Sequence, residues 1–335
     1  MSLRSIDPRS RRALVLTPME TRIEVLVAAA RHAERLGYES VVVPEGWGLD
    51  AVAALAAIAA RTERIRLVAG VLSVWGRTPA TLAMAAATLD DLSGGRFTLG
   101  VGASTAALAE RFHGVPYRRP AAELRRVATE VRRLLDGERA TAAHEGRGIV
   151  LGRSRPGLPL WIAGLGPRAV RVATDLGDGW FPALVPRNGL ARLRAGALAG
   201  AVRDPELVCG PMVAVDEASR SGRIGAERLV GWYLTGMGPV YGDLVAAHGH
   251  AAAVAALRAA NPRPAPSRID WPRTADPLLP QLAVYGGEEA VRRGLAAWDR
   301  LVDVVAVCVG PAPLAAVLAT VAAGAPDGPV AEVAS

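Results

Sequence analysis

No lysine occurs anywhere in the 335 residues. A chain without lysine cannot form a Schiff base through its own side-chain amine, anchor pyridoxal phosphate, or bring the lysine of a phosphate-binding loop onto a nucleotide. Several chemistries common on α/β folds are thereby excluded. All 39 basic residues other than histidine are arginines, and they leave a formal charge of +7. They are scattered, as at Arg125, Arg126, Arg132 and Arg133 along one helical pattern, and no basic stripe is interleaved with aromatics. That distribution describes a solvated surface and argues against a nucleic-acid partner. Cysteine is scarce as well. Cys209 and Cys308 lie far apart in apolar runs, which reads as two buried thiols and not as a disulfide framework. His248 and His250 have metal-like spacing but no carboxylate nearby, so no metal is expected. No apolar run is long enough to span a bilayer, and residues 1–12 lack an apolar signal core, which leads to the expectation of a cytoplasmic protein with no membrane partner. Aromatics are only 4% of the chain, so Trp47, Trp75 and Trp180, each at or after a strand end, stand out as candidate walls of a flat pocket. Trp161, inside a strand, reads as core.

What the chain does have is apolar material, at 51% of residues, in a strict alternation of strand and helix patterns. Short β-branched runs predict strands at 13–16, 40–43, 65–71, 96–101, 160–163, 179–181, 207–215 and 304–309. Helical periodicity fills the intervals. Thr78-Pro79 supplies an N-cap and a first-turn proline, and apolar residues at 124, 127, 131, 134 and 135 share one face. Eight such alternations, with no G-x-G-x-x-G after the first strand, predict one closed (β/α)8 TIM barrel with insertions over residues 1–335 rather than an open dinucleotide-binding sheet. The proline-rich stretch Asn261–Pro280 is expected to be an irregular excursion able to cover the pocket.

Barrel chemistry gathers where strands end, so the loops after the strands are the candidates. Gly164-Leu165-Gly166-Pro167 is the clearest: glycines expose main-chain N–H groups, Pro167 opens a helix, and the positive end of its dipole faces the loop, an arrangement suited to an anion. Glu45 ends the second strand as either a proton-handling carboxylate or the partner of an arginine such as Arg77. His113, on the loop after the fourth strand, carries an imidazole, the side chain most often used for proton transfer.

Six ordered segments carry a family resemblance: VVVPEGWGLD (41–50), RTERIRLVAGVLSVWGRTPA (61–80), LDDLSGGRFTLGVGAS (89–104), FHGVPYRRP (112–120), LPLWIAGLGPRAVRVATDLGDGWFP (158–182) and YLTGMGPVYGDLVAAHG (233–249). In these the chain resembles the bacterial luciferase-like oxidoreductases, specifically the branch using the deazaflavin coenzyme F-420. The resemblance implies a cis peptide at Gly70-Val71 behind the deazaflavin ring, hydroxyl donors at Ser73 and Ser104, and a phosphate held by Ala103, Ser104, Gly164, Leu165 and Gly166. It implies hydride transfer between C5 of the coenzyme and a small organic substrate, in a homodimer; Glu45 and His113 are the catalytic candidates that the residues themselves offer. The sequence departs from the family at Glu45, where many relatives carry Asp-His, and at Thr105, where some sugar-oxidising relatives place a glutamate; the second departure argues against sugar phosphate oxidation. Two other readings follow from the same residues: an FMN-dependent luciferase-like monooxygenase supplied by a separate flavin reductase, and a barrel that binds its ligand without turnover.

Overall fold

A computed structural model describes residues 10–140, 148–216 and 220–326; residues 1–9 of the polar leading segment lie outside this range. Among the described residues there are eleven strands: β1 (Arg12–Leu16), β2 (Ser40–Val43), β3 (Arg66–Ala69), β4 (Leu72–Ser73), β5 (Phe97–Gly102), β6 (Leu160–Ala163), β7 (Gly179–Trp180), β8 (Glu206–Cys209), β9 (Met212–Val215), β10 (Ala283–Gly286) and β11 (Val304–Val309). Their pairings are all parallel, and β1 bonds to both β2 and β11, which closes the sheet on itself. Because β3 and β4 are two halves of one stave beside β5, and β8 and β9 two halves of another beside β11, the ring has eight staves. This is the (β/α)8 barrel.

The helices enclose it because each buries one apolar face. In helix Pro79–Leu92 the Thr78 hydroxyl accepts from the Thr81 N–H at 3.2 Å, while Leu82, Ala83, Ala86, Ala87 and Leu89 are buried against the sheet. Each fully buried leucine contributes about 1.5–3 kcal/mol. The outer face of helix Pro120–Leu135 carries the clustered arginines, and acids answer them: Arg125 pairs with Asp175, Arg126 with Glu123, Arg132 with Asp178, and Arg133 with Glu130 and Glu138. Among the described residues no helix is long and apolar enough to cross a membrane.

Inside the barrel, Ala13, Val15, Val42, Val68, Trp161, Phe181, Val208, Val304 and Ala306 pack together. Trp161 fits there because its neighbour on β7 is Gly179, where a Cβ would stand 2.3 Å from the indole. Trp161 is core, as its place within a strand implies.

Three expectations are corrected. The run 207–215 is two strands, because Pro211 has no N–H to donate and Gly210 lies against β11, where a Cβ would meet the Ala306 carbonyl at 2.0 Å. Beside it β10 adds an outer strand to β9 that the sequence pattern did not reveal. The stretch Asn261–Pro280 is only partly irregular: Arg273–Leu278 form a 3-10 turn running into helix Leu279–Leu282. Side chains order it. Asn261 accepts from the Asp270 N–H and donates to the Asp270 carbonyl, and Asp276 accepts from both Trp271 and Arg223. Ala275, Leu278 and Leu279 then join a second core with helices Arg220–Gly236 and Ala251–Ala260. None of residues 261–280 reaches the cavity described next.

Candidate active site

A cavity of about 560 Å³ opens at the carboxyl ends of the strands, within the size range of small-molecule sites. Its wall includes Glu45, Gly70, Val71, Ser73, Ala103, Ser104, Gly164, Leu165 and Gly166, so all but one of the sequence-derived site residues meet in one place. His113 is the exception: its ring packs beside Gly76 and the Phe112 ring, away from the wall.

The floor lies between β3 and β4, where the Gly70-Val71 peptide is cis. A side chain at Gly70 would collide with Val42, whose Cγ1 lies 2.0 Å from the position a Cβ would take. Val71 leans on β5, and β5 makes room for it with glycines: a Cβ at Gly100 would stand 2.9 Å from Val71 Cγ1, and one at Gly102 would stand 2.7 Å from Val71 Cγ2. The result is a smooth apolar shelf.

Two loops flank the shelf, and tryptophans brace both from behind. Trp75 Nε1 donates to the Ala103 carbonyl at 2.7 Å, and Tyr117 Oη donates to the Ser104 carbonyl at 3.2 Å, while Ser104 itself has φ 53°. Trp180 Nε1 donates to the Gly164 carbonyl at 2.9 Å. Trp47, Trp75 and Trp180 therefore do not wall the cavity as the sequence suggested; Trp75 and Trp180 hold its loops, and Trp47 packs edge-on to Trp232. Gly166 caps helix Pro167–Leu176, whose first N–H groups have no intrahelical partner and open onto the same wall. Beside them stands Arg168, exposed and without an ion-pair partner among the described residues. Sequence reasoning missed Arg168 although it directly follows the glycine loop.

Glu45 is held. Arg77 grips both carboxylate oxygens, with Nη2 to Oε1 at 2.8 Å, and the Ala51 N–H donates to Oε1 at 3.3 Å. Arg77 also reaches Asp50, and hydrogen bonding to Glu45 raises its already high pKa. Of the two readings for Glu45, the structure places it in the ion pair.

The roof was not foreseen. Helices Arg220–Gly236 and Pro239–Val245 hang Tyr233, Met237, Val240 and Tyr241 over the cavity, and the two tyrosine rings meet edge-to-face at 5.4 Å. The only sequence signal was an aromatic pair either side of a Gly-Met-Gly-Pro break. Burial pushes Tyr241 up to about 12 and raises Tyr233 further. Both folded-state values lie above the unfolded value of about 10, so the folded protein holds these protons more tightly. Their contribution to stability is intact below about pH 10 and lost as pH rises toward 12. Urea unfolding is thus expected to give a flat stability profile from neutral pH to about 10 and a fall above it. A profile still flat at pH 12 would mean that solvent reaches these phenols freely.

Cys308 lines the cavity and Cys209 is buried; burial raises both thiols, Cys209 to about 12. Burial thus favours the neutral thiol at both positions. His248 and His250 are engaged locally, His248 with the Leu244 carbonyl and His250 with Asn188.

Comparison with known proteins agrees with this geometry. A family model described as luciferase-like monooxygenase matches residues 8–303. A Mycobacterium tuberculosis protein, provisionally named a coenzyme F-420-dependent oxidoreductase, is 34% identical over 174 residues, which are 47% of this chain and 49% of that one. The 5,10-methylenetetrahydromethanopterin reductase of Archaeoglobus fulgidus is 30% identical over 196 residues, 55% of this chain and 58% of the relative. The chain thus spans about half the length of the curated relatives it matches. Among solved structures, the coenzyme F-420-dependent tetrahydromethanopterin reductase of Methanopyrus kandleri superposes with a TM-score of 0.69 at 18% identity, covering 93% of this chain and 97% of that one. At that identity the likeness speaks for the fold.

Proposed function

The chain belongs to the luciferase-like monooxygenase family, and from that premise we propose that it is an enzyme transferring a hydride between coenzyme F-420 and a small organic substrate, by reduction of an activated C=C or C=N bond. One observation carries this reading: a flat apolar shelf at Gly70-Val71 lies between two main-chain loops and ends at a helix N-terminus with a free arginine.

The residues present fit a phosphorylated tricyclic ring. Val71 and Gly70 would support its back, and the glycines at 100 and 102 keep Val71 from rising into its plane. Ser73 and Ser104 offer hydroxyls, while the N–H groups of the 164–168 loop and the Arg168 guanidinium would hold an anionic tail. Bound in this way, the coenzyme supplies hydride at C5. The protein supplies position and a dry, apolar surround, and a ring resting on the shelf leaves one face open to substrate. Since Arg77 occupies Glu45 and His113 stands off the wall, the proton comes from water admitted at the mouth. Glu45 fixes the end of β2.

Two measurements follow. Anaerobic mixing with reduced coenzyme F-420 and a panel of activated alkenes and imines is expected to restore the absorption of the oxidised deazaflavin and to give a single product enantiomer; saturable coenzyme binding without transfer to any acceptor would favour the non-catalytic barrel. Glu45→Gln is expected to retain hydride transfer within about fivefold while costing about 1–3 kcal/mol of stability, because Arg77 keeps only Asp50 as a charged partner. A large loss of turnover without loss of stability would instead identify Glu45 as the acid.

The family description itself favours a second reading, an FMN-dependent monooxygenase, whose phosphate the same loops would accept. Oxygen consumption with reduced FMN distinguishes it. We expect the protein to act in the cytoplasm as a homodimer through the helix carrying Met84 and Leu92, which are 59% and 60% exposed; light scattering tests the oligomer.

A further inference from the structure

The stave order divides the cavity rim into two unlike sides. The loops after β5 and β6, with the helix N-terminus and Arg168, form one side. Across the barrel, the start of β9 and the ends of β11 and β1 present Met212, Cys308, Val15, Thr17 and Pro18, under the roof of Tyr233 and Tyr241. Among the described residues only Glu45 and Arg168 bring charge to the cavity wall, and both are accounted for: Arg77 clasps Glu45, and Arg168 belongs to the first side. The second side is apolar but not without polar atoms. Neither the Tyr233 nor the Tyr241 hydroxyl has a hydrogen-bond partner among the described residues, and the Thr17 hydroxyl is buried with none. The two phenol rings meet edge-to-face at 5.4 Å over this side.

Donors without partners over an uncharged wall select for an acceptor. A phosphate or carboxylate placed there would lose its hydration and meet no cation, whereas a carbonyl oxygen would complete the phenols' hydrogen bonding. Resting on the coenzyme reading above, we propose that the substrate is an uncharged, largely apolar molecule carrying one carbonyl-type acceptor, held by Tyr233 and Tyr241 over the exposed face of the ring. Sugar phosphates and other substrates that would bring an anionic group to this side fall outside that class.

Calorimetry on protein loaded with oxidised coenzyme F-420, where no turnover occurs, tests this with α-tetralone and a ring-carboxylated tetralone. The neutral ketone is expected to bind at least about 30-fold more tightly than the carboxylate, the penalty of burying an unpaired charge. Tyr233→Phe and Tyr241→Phe should each weaken it about fivefold, as loss of one neutral hydrogen bond does, with coenzyme affinity unchanged within about twofold. Equal or tighter binding of the carboxylate, no binding of the ketone, or indifference to both Phe substitutions would overturn the proposal. Failure of the unaltered protein to take up the coenzyme at all would count against the coenzyme reading instead, and the two failures are separable because coenzyme loading is measured first.

Discussion

Replacing Gly102 with valine is expected to weaken coenzyme F-420 binding by about 100-fold or more while leaving the barrel folded. Gly102 ends β5 directly beside the shelf. A Cβ there would lie 2.7 Å from Val71 Cγ2 and 3.2 Å from Ala163 Cβ, closer than packed carbons tolerate. Val71 cannot retreat along β5, since its other methyl already crowds the position above Gly100. It can yield only into the cavity, where the ring would lie. Gly152→Val is the matched control, because nothing lies within 4 Å of the new side-chain position. Titration of both variants by deazaflavin fluorescence, with thermal melting in parallel, separates loss of the site from loss of the fold. Wild-type affinity in Gly102→Val would show that the shelf is not where the ring sits.

The second large effect is on stability. Trp180 is 2% exposed, fills the space between β7 and its helices, and donates its indole N–H to the Gly164 carbonyl. Trp180→Ala leaves a cavity and an unpaired carbonyl together, and should cost about 3–5 kcal/mol in urea unfolding. Trp180→Phe keeps most of the volume and removes mainly the hydrogen bond, so its cost should be nearer 1–2 kcal/mol. The Phe variant should also loosen coenzyme binding, because the 164–168 loop loses its brace. A loss below about 1 kcal/mol for the Ala variant, or unchanged coenzyme affinity for the Phe variant, would contradict this role of Trp180.

Much of this was legible before any coordinates, for physical reasons. Parallel strands covered on both faces must be short and apolar throughout, so runs such as Ser40–Val43 and Val304–Val309 announced themselves. Glycine and proline at 164–167 can do little else at a strand end than open a helix, which located the anion loop. What stayed hidden depends on contacts between distant segments. Nothing local at Glu45 distinguishes a free carboxylate from one gripped by Arg77, 32 residues on. The Asn261–Pro280 stretch looked shapeless because its order comes from the side chains of Asn261 and Asp276, not from periodicity. Nothing local marks Tyr233 and Tyr241 as a roof, because only the fold brings the helices bearing them across the strand ends. The resemblance supplied the cis peptide at Gly70-Val71, which no propensity would have suggested.

The most direct test of the deazaflavin reading is a competition titration of the purified protein with oxidised coenzyme F-420 and with FMN. The deazaflavin reading predicts saturable binding of coenzyme F-420, lost in Gly102→Val and weakened about tenfold in Arg168→Ala, with FMN unable to displace it at comparable concentration. Tight FMN binding that displaces the deazaflavin, accompanied by oxygen consumption on reduction, would contradict it.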